Sequence, residues 1–274
     1  YNPFNIISSF RLSFLPPLMI YLAAGVSGLT NIVGLFFVKE YLDLSAAFLA
    51  GLGFWAGLPW VLKMPLGHIV DLIWKFKSIL VFFGALIMAI SSLIMYFLIA
   101  HKEEMISVLN AETWFIISTL LAPIGFVLQD VVADALTVEA IPKTDEKGNE
   151  IDFKTLKSLN VVMQLLGRVS IISGTLIVSF INLIMFSDSS EMSDNEKIVT
   201  YGKIYLYSLI VPIISIMGVV FSYISSKSRL KKLIKKGLTF EKAINLIYPV
   251  LKASKPNKSI ITGSIIFVIF SLSI

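Results

Sequence analysis

The chain has 274 residues, of which 56% are apolar and only 15% are charged, and its mean hydropathy is +0.84. Soluble domains carry about 25% charged residues, so a water-soluble enzyme of this length is nearly excluded and an integral membrane protein is expected. The chain lacks cysteine, which excludes a disulfide framework, and its formal charge of +5 is better explained by basic loops on one side of a bilayer than by a nucleic-acid partner.

Six long apolar runs follow one another along the chain, and each can cross about 30 Å of hydrocarbon as a helix. They cover residues 16–38, 45–66, 79–100, 114–138, 159–186 and 204–226. Helices are expected because an open strand edge cannot be satisfied in lipid. A further run at 259–274 is shorter than the roughly 20 residues that a span needs. We therefore expect it to begin a seventh span of a longer protein.

The distribution of lysine and arginine predicts the orientation in the membrane. With the amino end inside, 17 of these residues lie in inner segments and 4 in outer ones, while Lys63 and Arg168 fall within spans. The amino end and the basic segment 227–258 are thus expected to be cytoplasmic, and the Lys- and Ile-rich composition suggests a bacterial inner membrane. Segment 227–258 fits either a helix on the anionic membrane surface or a stop-transfer charge cluster.

Polar residues interrupt the fourth and fifth runs, which contain Gln129, Asp130 and Asp134, and Gln164 and Arg168. An ionisable group at the bilayer centre costs about 2.5–3.5 kcal/mol, so these groups should face a partner or a water-filled cavity. Asp130 and Asp134 are four apart and share a helix face, as do Gln164 and Arg168. We expect an Asp130/Asp134–Arg168 cluster flanked by the glutamines, which could carry a proton or bind a charged solute. The alternative is a buried ion pair that fixes helix register.

Other polar positions give weaker signals. Asn31 in the first run could contact solute or hydrogen-bond a neighbouring helix, and Lys63 is expected to snorkel to the inner interface. Gly67 and Asp71, followed by Lys75, are typical of a tight inner loop between the second and third spans. Two scattered histidines do not predict a metal site, and no cofactor is expected.

The Gly67-x-x-x-Asp71 pattern resembles the signature between the second and third helices of the major facilitator superfamily. Leu72 stands where that signature usually has Arg, and the usual basic pair is reduced to Lys75 and Lys77. The resemblance implies twelve helices in two halves, a central cavity and transport by alternating access.

A narrower resemblance is to the folate–biopterin transporter family. It is carried by Leu-Pro-Trp at 58–60 followed by Lys63, by the segment 130–139, and by Gln164 and Arg168. Acetyl-coenzyme A transporters are similar around the same residues of the fourth span, so that branch stays open.

These resemblances imply an all-α polytopic membrane protein, with the six-helix amino-terminal half at 1–226, a linker at 227–258 and the start of the carboxyl half at 259–274. The expected function is a monomeric secondary active transporter of a small organic solute, expected to be anionic and folate- or pterin-like, with proton symport as one form of coupling. The alternatives are an acetyl-coenzyme A carrier and a scaffold that transports nothing. An enzyme is disfavoured because the sequence contains no His-Glu-x-x-His, no phosphate-binding glycine loop and no cysteine nucleophile.

Overall fold

The computed structural model describes residues 12–37, 45–73, 76–141, 150–187, 192–235, 237 and 239. Within these residues a short 3-10 turn at Leu12–Phe14 precedes a series of α-helices, which confirms the all-α prediction for this part of the chain. The helices are α1 (Leu15–Val26), α2 (Leu29–Phe37), α3 (Ala46–Val61), α4 (Lys63–Leu72), α5 (Lys77–Ala100), α6 (Lys102–Val108), α7 (Ala111–Ala140), α8 (Phe153–Met185), α9 (Asp194–Tyr207) and α10 (Ile210–Lys235).

Among the described residues, five helical stretches are long and apolar enough to cross a membrane. They are Ala47–Val70, Lys77–Ala100, Ala111–Ala140, Phe153–Met185 and Asp194–Ile224. They coincide with the second to sixth apolar runs of the sequence. This set of helices is that of a multi-pass integral membrane protein.

The first apolar run differs from the single span that was predicted, because it forms two shorter helices. A turn at Ser27 and Gly28 separates α1 from α2. The Ser27 hydroxyl donates a hydrogen bond of 2.6 Å to the carbonyl oxygen of Ala24 and so helps to close the last turn of α1. Serine and glycine both have low helix propensity, which explains why the break falls there.

Prolines divide two further runs. The second run is interrupted at Leu62, between α3 and α4, and the sixth after Ser208, between α9 and α10. Proline has no backbone N–H, so Pro65 cannot bond to the carbonyl of Val61 and Pro212 cannot bond to that of Ser208. Each break therefore falls about one turn before a proline.

The loop predicted around Gly67 and Asp71 is wrong, because both residues lie inside α4. α4 packs against α7 at Gly67, where an added Cβ would lie in ordinary van der Waals contact, 3.9 Å from Cγ1 of Val131. Lys75, the third residue of that motif, lies outside the described residues.

Close glycine contacts hold α5 against α7. A Cβ on Gly84 would lie 2.7 Å from the carbonyl oxygen of Gly125, and a Cβ on Gly125 would lie 2.6 Å from that of Gly84. A similar close contact of glycines joins α1 to α8, where a Cβ on Gly25 would lie 2.9 Å from the Cα of Gly174. Such backbone contacts are typical of helices that associate in lipid, where no hydrophobic force drives them together.

The apolar core has two clusters along the bundle. One includes Val131 and Met163, toward the end where α7 finishes and α8 begins. The other includes Met95 and Ile204, toward the end where α5 finishes and α7 begins. The polar features described below lie beside these two clusters.

Helix α10, which covers most of the sixth apolar run, continues past the predicted domain boundary at 226 and ends at Lys235. The first part of the predicted linker is therefore helical. Apart from residues 237 and 239, the rest of the linker and the expected seventh span at 259–274 lie outside the described residues.

Candidate functional site

An ionic cluster forms where α4 begins beside α7. The Nζ atom of Lys63 lies 2.5 Å from Oδ2 of Asp130 and 2.9 Å from Oδ2 of Asp134. The two aspartates can share one ammonium group because they are one helical turn apart on the same face of α7. One positive and two negative side chains leave the cluster with a formal charge of −1 when all three are ionised.

Tyr21 of α1 extends this cluster to a third helix. Its hydroxyl donates a hydrogen bond of 2.6 Å to Oδ1 of Asp134, so that each oxygen of this carboxylate has a partner. The tyrosine ring lies against Gly167 of α8, where an added Cβ would come within 3.0 Å of Cε2. The absence of a side chain at Gly167 thus gives the ring room to reach α7.

Arg168 takes a different place from the one expected. Among the described residues Arg168 forms no ion pair with either aspartate, whose cationic partner is Lys63. Lys63, expected to snorkel to the interface, is the ion-pair partner of the two carboxylates instead. The physical reason is the break at Leu62, after which α4 begins with Lys63 directly beside α7.

The cluster is open on one side. The side chain of Asp134 is 49% exposed and that of Lys63 is 36% exposed, whereas that of Asp130 is 17% exposed. Charged groups exposed within membrane spans cannot face acyl chains cheaply, so this side requires water or further protein.

The exposed surface of α8 carries a row of polar side chains among apolar ones. Residues at helical spacing line it, and all are exposed: Asn160, Gln164, Arg168, Thr175 and Ser179. Three of these side chains bond back to carbonyls one turn earlier, whereas Gln164 and Arg168 have no hydrogen bond in the described part of the chain. This polar stripe contains both predicted residues of the fifth span, and exposed apolar side chains such as Leu165, Val169 and Ile172 flank it on the same helix.

Gln129 makes hydrogen bonds between helices and does not bind the two carboxylates or Lys63. It is buried, and its Nε2 donates a hydrogen bond of 3.2 Å to the carbonyl of Val81 in α5. Its Oε1 accepts one of 2.8 Å from the hydroxyl of Ser215 in α10. Gln129 therefore ties three helices together, and its hydrogen bonds do not go to Lys63.

A cleft of about 550 Å³ lies among α2, α3 and α7, with contributions from α5 and α9. Asn31, the predicted site residue of the first span, is on its wall. Trp60 and Phe126 line the end of the cleft. Lys63 follows Trp60 by about one helical turn, and Asp130 follows Phe126 by about one turn in α7. The cleft and the ionic cluster are thus consecutive along α3–α4 and α7.

Two residues of the cluster escaped the sequence reasoning. The position of Lys63 could have been predicted from charge balance, because two aspartates and one arginine leave one negative charge uncompensated. Lys63 is the other basic residue within a predicted span and could have been assigned as the missing cation. Tyr21 had none, since a tyrosine in an apolar run is common and its partner is on a distant segment.

The arrangement can hold or release one proton at the carboxylates and can present a cationic guanidinium to an anion. Among the described residues there is no group of three or more side chains that could hold a metal ion. No family model, curated protein or solved structure matches the chain.

Proposed function

We propose that the chain is the amino-terminal half of a secondary active transporter of the major facilitator type, which moves a small organic solute by alternating access. The single observation that supports this most is the Lys63 ammonium held between Asp130 and Asp134 inside membrane-spanning helices. Ionisable groups within spans mark ion and substrate pathways, because their insertion cost must be offset by function or pairing.

The open side of the cluster favours a transport role over a purely structural one. A register-fixing ion pair is expected to be sealed between helices, yet the Asp134 side chain is half exposed. The polar stripe on α8 is exposed as well. A second half of the protein packed against this face would enclose the cluster and the stripe around a common passage.

The hydrogen bonds of the cluster support proton coupling as part of this proposal. Both oxygens of Asp134 have partners, whereas Oδ1 of Asp130 has none among the described residues. A proton taken up at Asp130 would remove the net charge of the cluster and weaken the link between Lys63 and α7. Proton binding would then alter how firmly α4 is held to α7, which is the kind of bistable contact that alternating access needs.

The solute is proposed to be an organic anion, with a folate- or pterin-like compound as the specific form suggested by the sequence resemblance. The supporting observation is Arg168, which is exposed and forms no ion pair with the described residues. A guanidinium can bind a carboxylate through two parallel hydrogen bonds.

Uptake into proteoliposomes under an imposed proton gradient tests this proposal. Radiolabelled folate is the probe, with acetyl-coenzyme A in parallel. Asp134→Asn should abolish gradient-driven uptake, because it removes the negative charge that a proton at Asp130 would neutralise. Arg168→Ala should abolish uptake as well, because it removes the anion site. Glu112→Gln is the matched control, because it neutralises an exposed carboxylate on the same helix that forms no ion pair with the described residues.

Normal uptake by both Asp134→Asn and Arg168→Ala would contradict the mechanism. Wild-type protein that is folded but takes up neither probe would contradict the proposed solutes. Uptake of acetyl-coenzyme A alone would support the carrier and replace the folate-like solute.

A further inference from the structure

We infer that the cleft among α2, α3 and α7 binds an uncharged, flat ring that carries hydroxyl or amide groups. Its volume of about 550 Å³ falls within the range of about 300–1,000 Å³ that is typical of small-molecule sites. The inference specifies which part of the solute the proposed carrier would bind in this cleft. It rests on the proposed function, because it takes the cleft to be part of the path of the solute.

Several polar groups of the cleft lack partners. Thr30, Asn31 and Thr119 line it, and among the described residues their side chains make no hydrogen bond. Ser91 and Ser118 also line it, but they bond to each other, with each hydroxyl donating to the carbonyl of the other at 2.8–2.9 Å. The unpartnered groups offer both donors and acceptors to a ligand.

Tyr205 of α9 provides the most telling group. This residue is only 6% exposed, and its hydroxyl has no hydrogen-bond partner among the residues that the structure describes. The phenol reaches the cleft beside Gly34, where an added Cβ would lie 3.0 Å from the hydroxyl oxygen. The ring is buried, but the hydroxyl is accessible at the cleft wall, where it can donate or accept a hydrogen bond with a ligand.

The chemistry of the walls defines the ligand's charge and shape. Aromatic rings of Trp60, Phe115 and Phe126 give flat apolar surfaces, which favour a flat ring. In the described part of the chain, the lining contains no lysine, arginine, histidine, aspartate or glutamate. A carboxylate attached directly to the ring would be desolvated without a counter-charge, so the ring itself must be neutral. An acidic group of the same solute would stay outside the cleft.

Ligand-observed saturation-transfer NMR on the full-length protein in lipid nanodiscs tests this inference. The probes are two pairs of equal shape and different charge: nicotinamide with nicotinate, and indole-3-carboxamide with indole-3-carboxylate. Each amide should bind at least tenfold more tightly than its carboxylate. The inference is overturned if neither amide binds, or if the carboxylates bind as tightly as the amides.

Substitutions locate the binding. Tyr205→Phe removes only the unpartnered hydroxyl and should weaken amide binding about threefold to tenfold, the range for one hydrogen bond. Tyr207→Phe is the matched control on the same helix, since Tyr207 is exposed and does not line the cleft. Thr119→Val provides the same comparison on α7 if Tyr205→Phe fails to fold. Unchanged affinity in both Tyr205→Phe and Thr119→Val would place the amides elsewhere and overturn the inference.

Binding and uptake separate this inference from the proposed function. Amide binding that depends on Tyr205, together with normal uptake by Asp134→Asn and Arg168→Ala, would leave the cleft site standing and remove the coupling mechanism. The reverse pattern, with coupled uptake but no amide binding, would remove the cleft site and leave the carrier.

Discussion

The ammonium of Lys63 in α4 and the carboxylate of Asp130 in α7 meet at 2.5 Å, one helical turn along the chain from the cleft residues Trp60 and Phe126. Lys63→Met should destabilise the protein, because it leaves two carboxylates one turn apart without their counter-ion. Adding Asp130→Asn should recover part of the loss, and the two effects should fail to add by about 1–3 kcal/mol. Unfolding of the wild type, the two single variants and the double variant in mixed micelles measures this coupling.

The exposed Lys102 provides a control for this double-mutant comparison. Lys102→Met combined with Asp130→Asn should behave additively. Additive effects for the Lys63 pair as well would show that the ion pair contributes no coupling energy.

The crossing of α1 and α8 should not tolerate a side chain at Gly25. An added Cβ would lie 2.2 Å from the carbonyl oxygen of Ile171, so Gly25→Ala must push the helices apart. We expect a loss of about 1–3 kcal/mol, which is typical of overpacking. Gly51→Ala is the control, because nothing lies within 4 Å of its added Cβ and alanine favours helix by about 1 kcal/mol. Melting temperatures that fall equally in both variants would contradict this packing.

Gln129 should matter for stability and not for transport. Gln129→Leu removes the hydrogen bonds to Val81 and from Ser215, which should cost about 1 kcal/mol in a membrane protein. The double variant Gln129→Leu/Ser215→Ala should lose less stability than the sum of the two single variants, since both substitutions break the same hydrogen bond. Uptake per folded molecule should stay normal, and its abolition would give Gln129 a direct part in transport.

The cap of α8 should depend on pH. Oδ2 of Asp152 accepts a hydrogen bond of 3.0 Å from the backbone N–H of Thr155, and the bonds from Thr155 hold the pKa of Asp152 below its usual 3.8. Because the folded-state pKa is lowered, the stabilisation is complete above the unfolded-state value and is lost as the pH falls through the folded-state pKa. The difference in melting temperature between wild type and Asp152→Ala should therefore shrink between pH 6 and pH 3.

Asparagine caps helices without titrating, so Asp152→Asn is the reference for this comparison. The difference between the Asn and Ala variants should not change with pH. A gap between wild type and Asp152→Ala that is the same at both pH values would contradict the role of the carboxylate.

The sequence predicted the long helices well and their contacts poorly. Hydropathy locates a span because about 20 apolar residues in lipid must be helical, and α5, α7 and α8 match their predicted runs closely. Spacing within α7 also placed Asp130 and Asp134 on one face. Spacing within one helix contains no information on which other helix lies opposite, so Lys63 and Tyr21 were not identified as their partners. The break after Val26 depends on the low helix propensity of Ser27 and Gly28, and the break after Val61 depends on Pro65; average hydropathy detects neither.

The reciprocal contact of Gly84 and Gly125 limits which sequences this fold can adopt. Each position excludes a side chain because of the other's backbone, so a methyl group at either one would widen the whole crossing of α5 and α7. Repair would require compensating changes along both helices at once. In a saturation-mutagenesis library selected for correctly folded protein, these two positions should stay glycine while the exposed neighbours Phe83 and Ile124 vary freely among apolar residues.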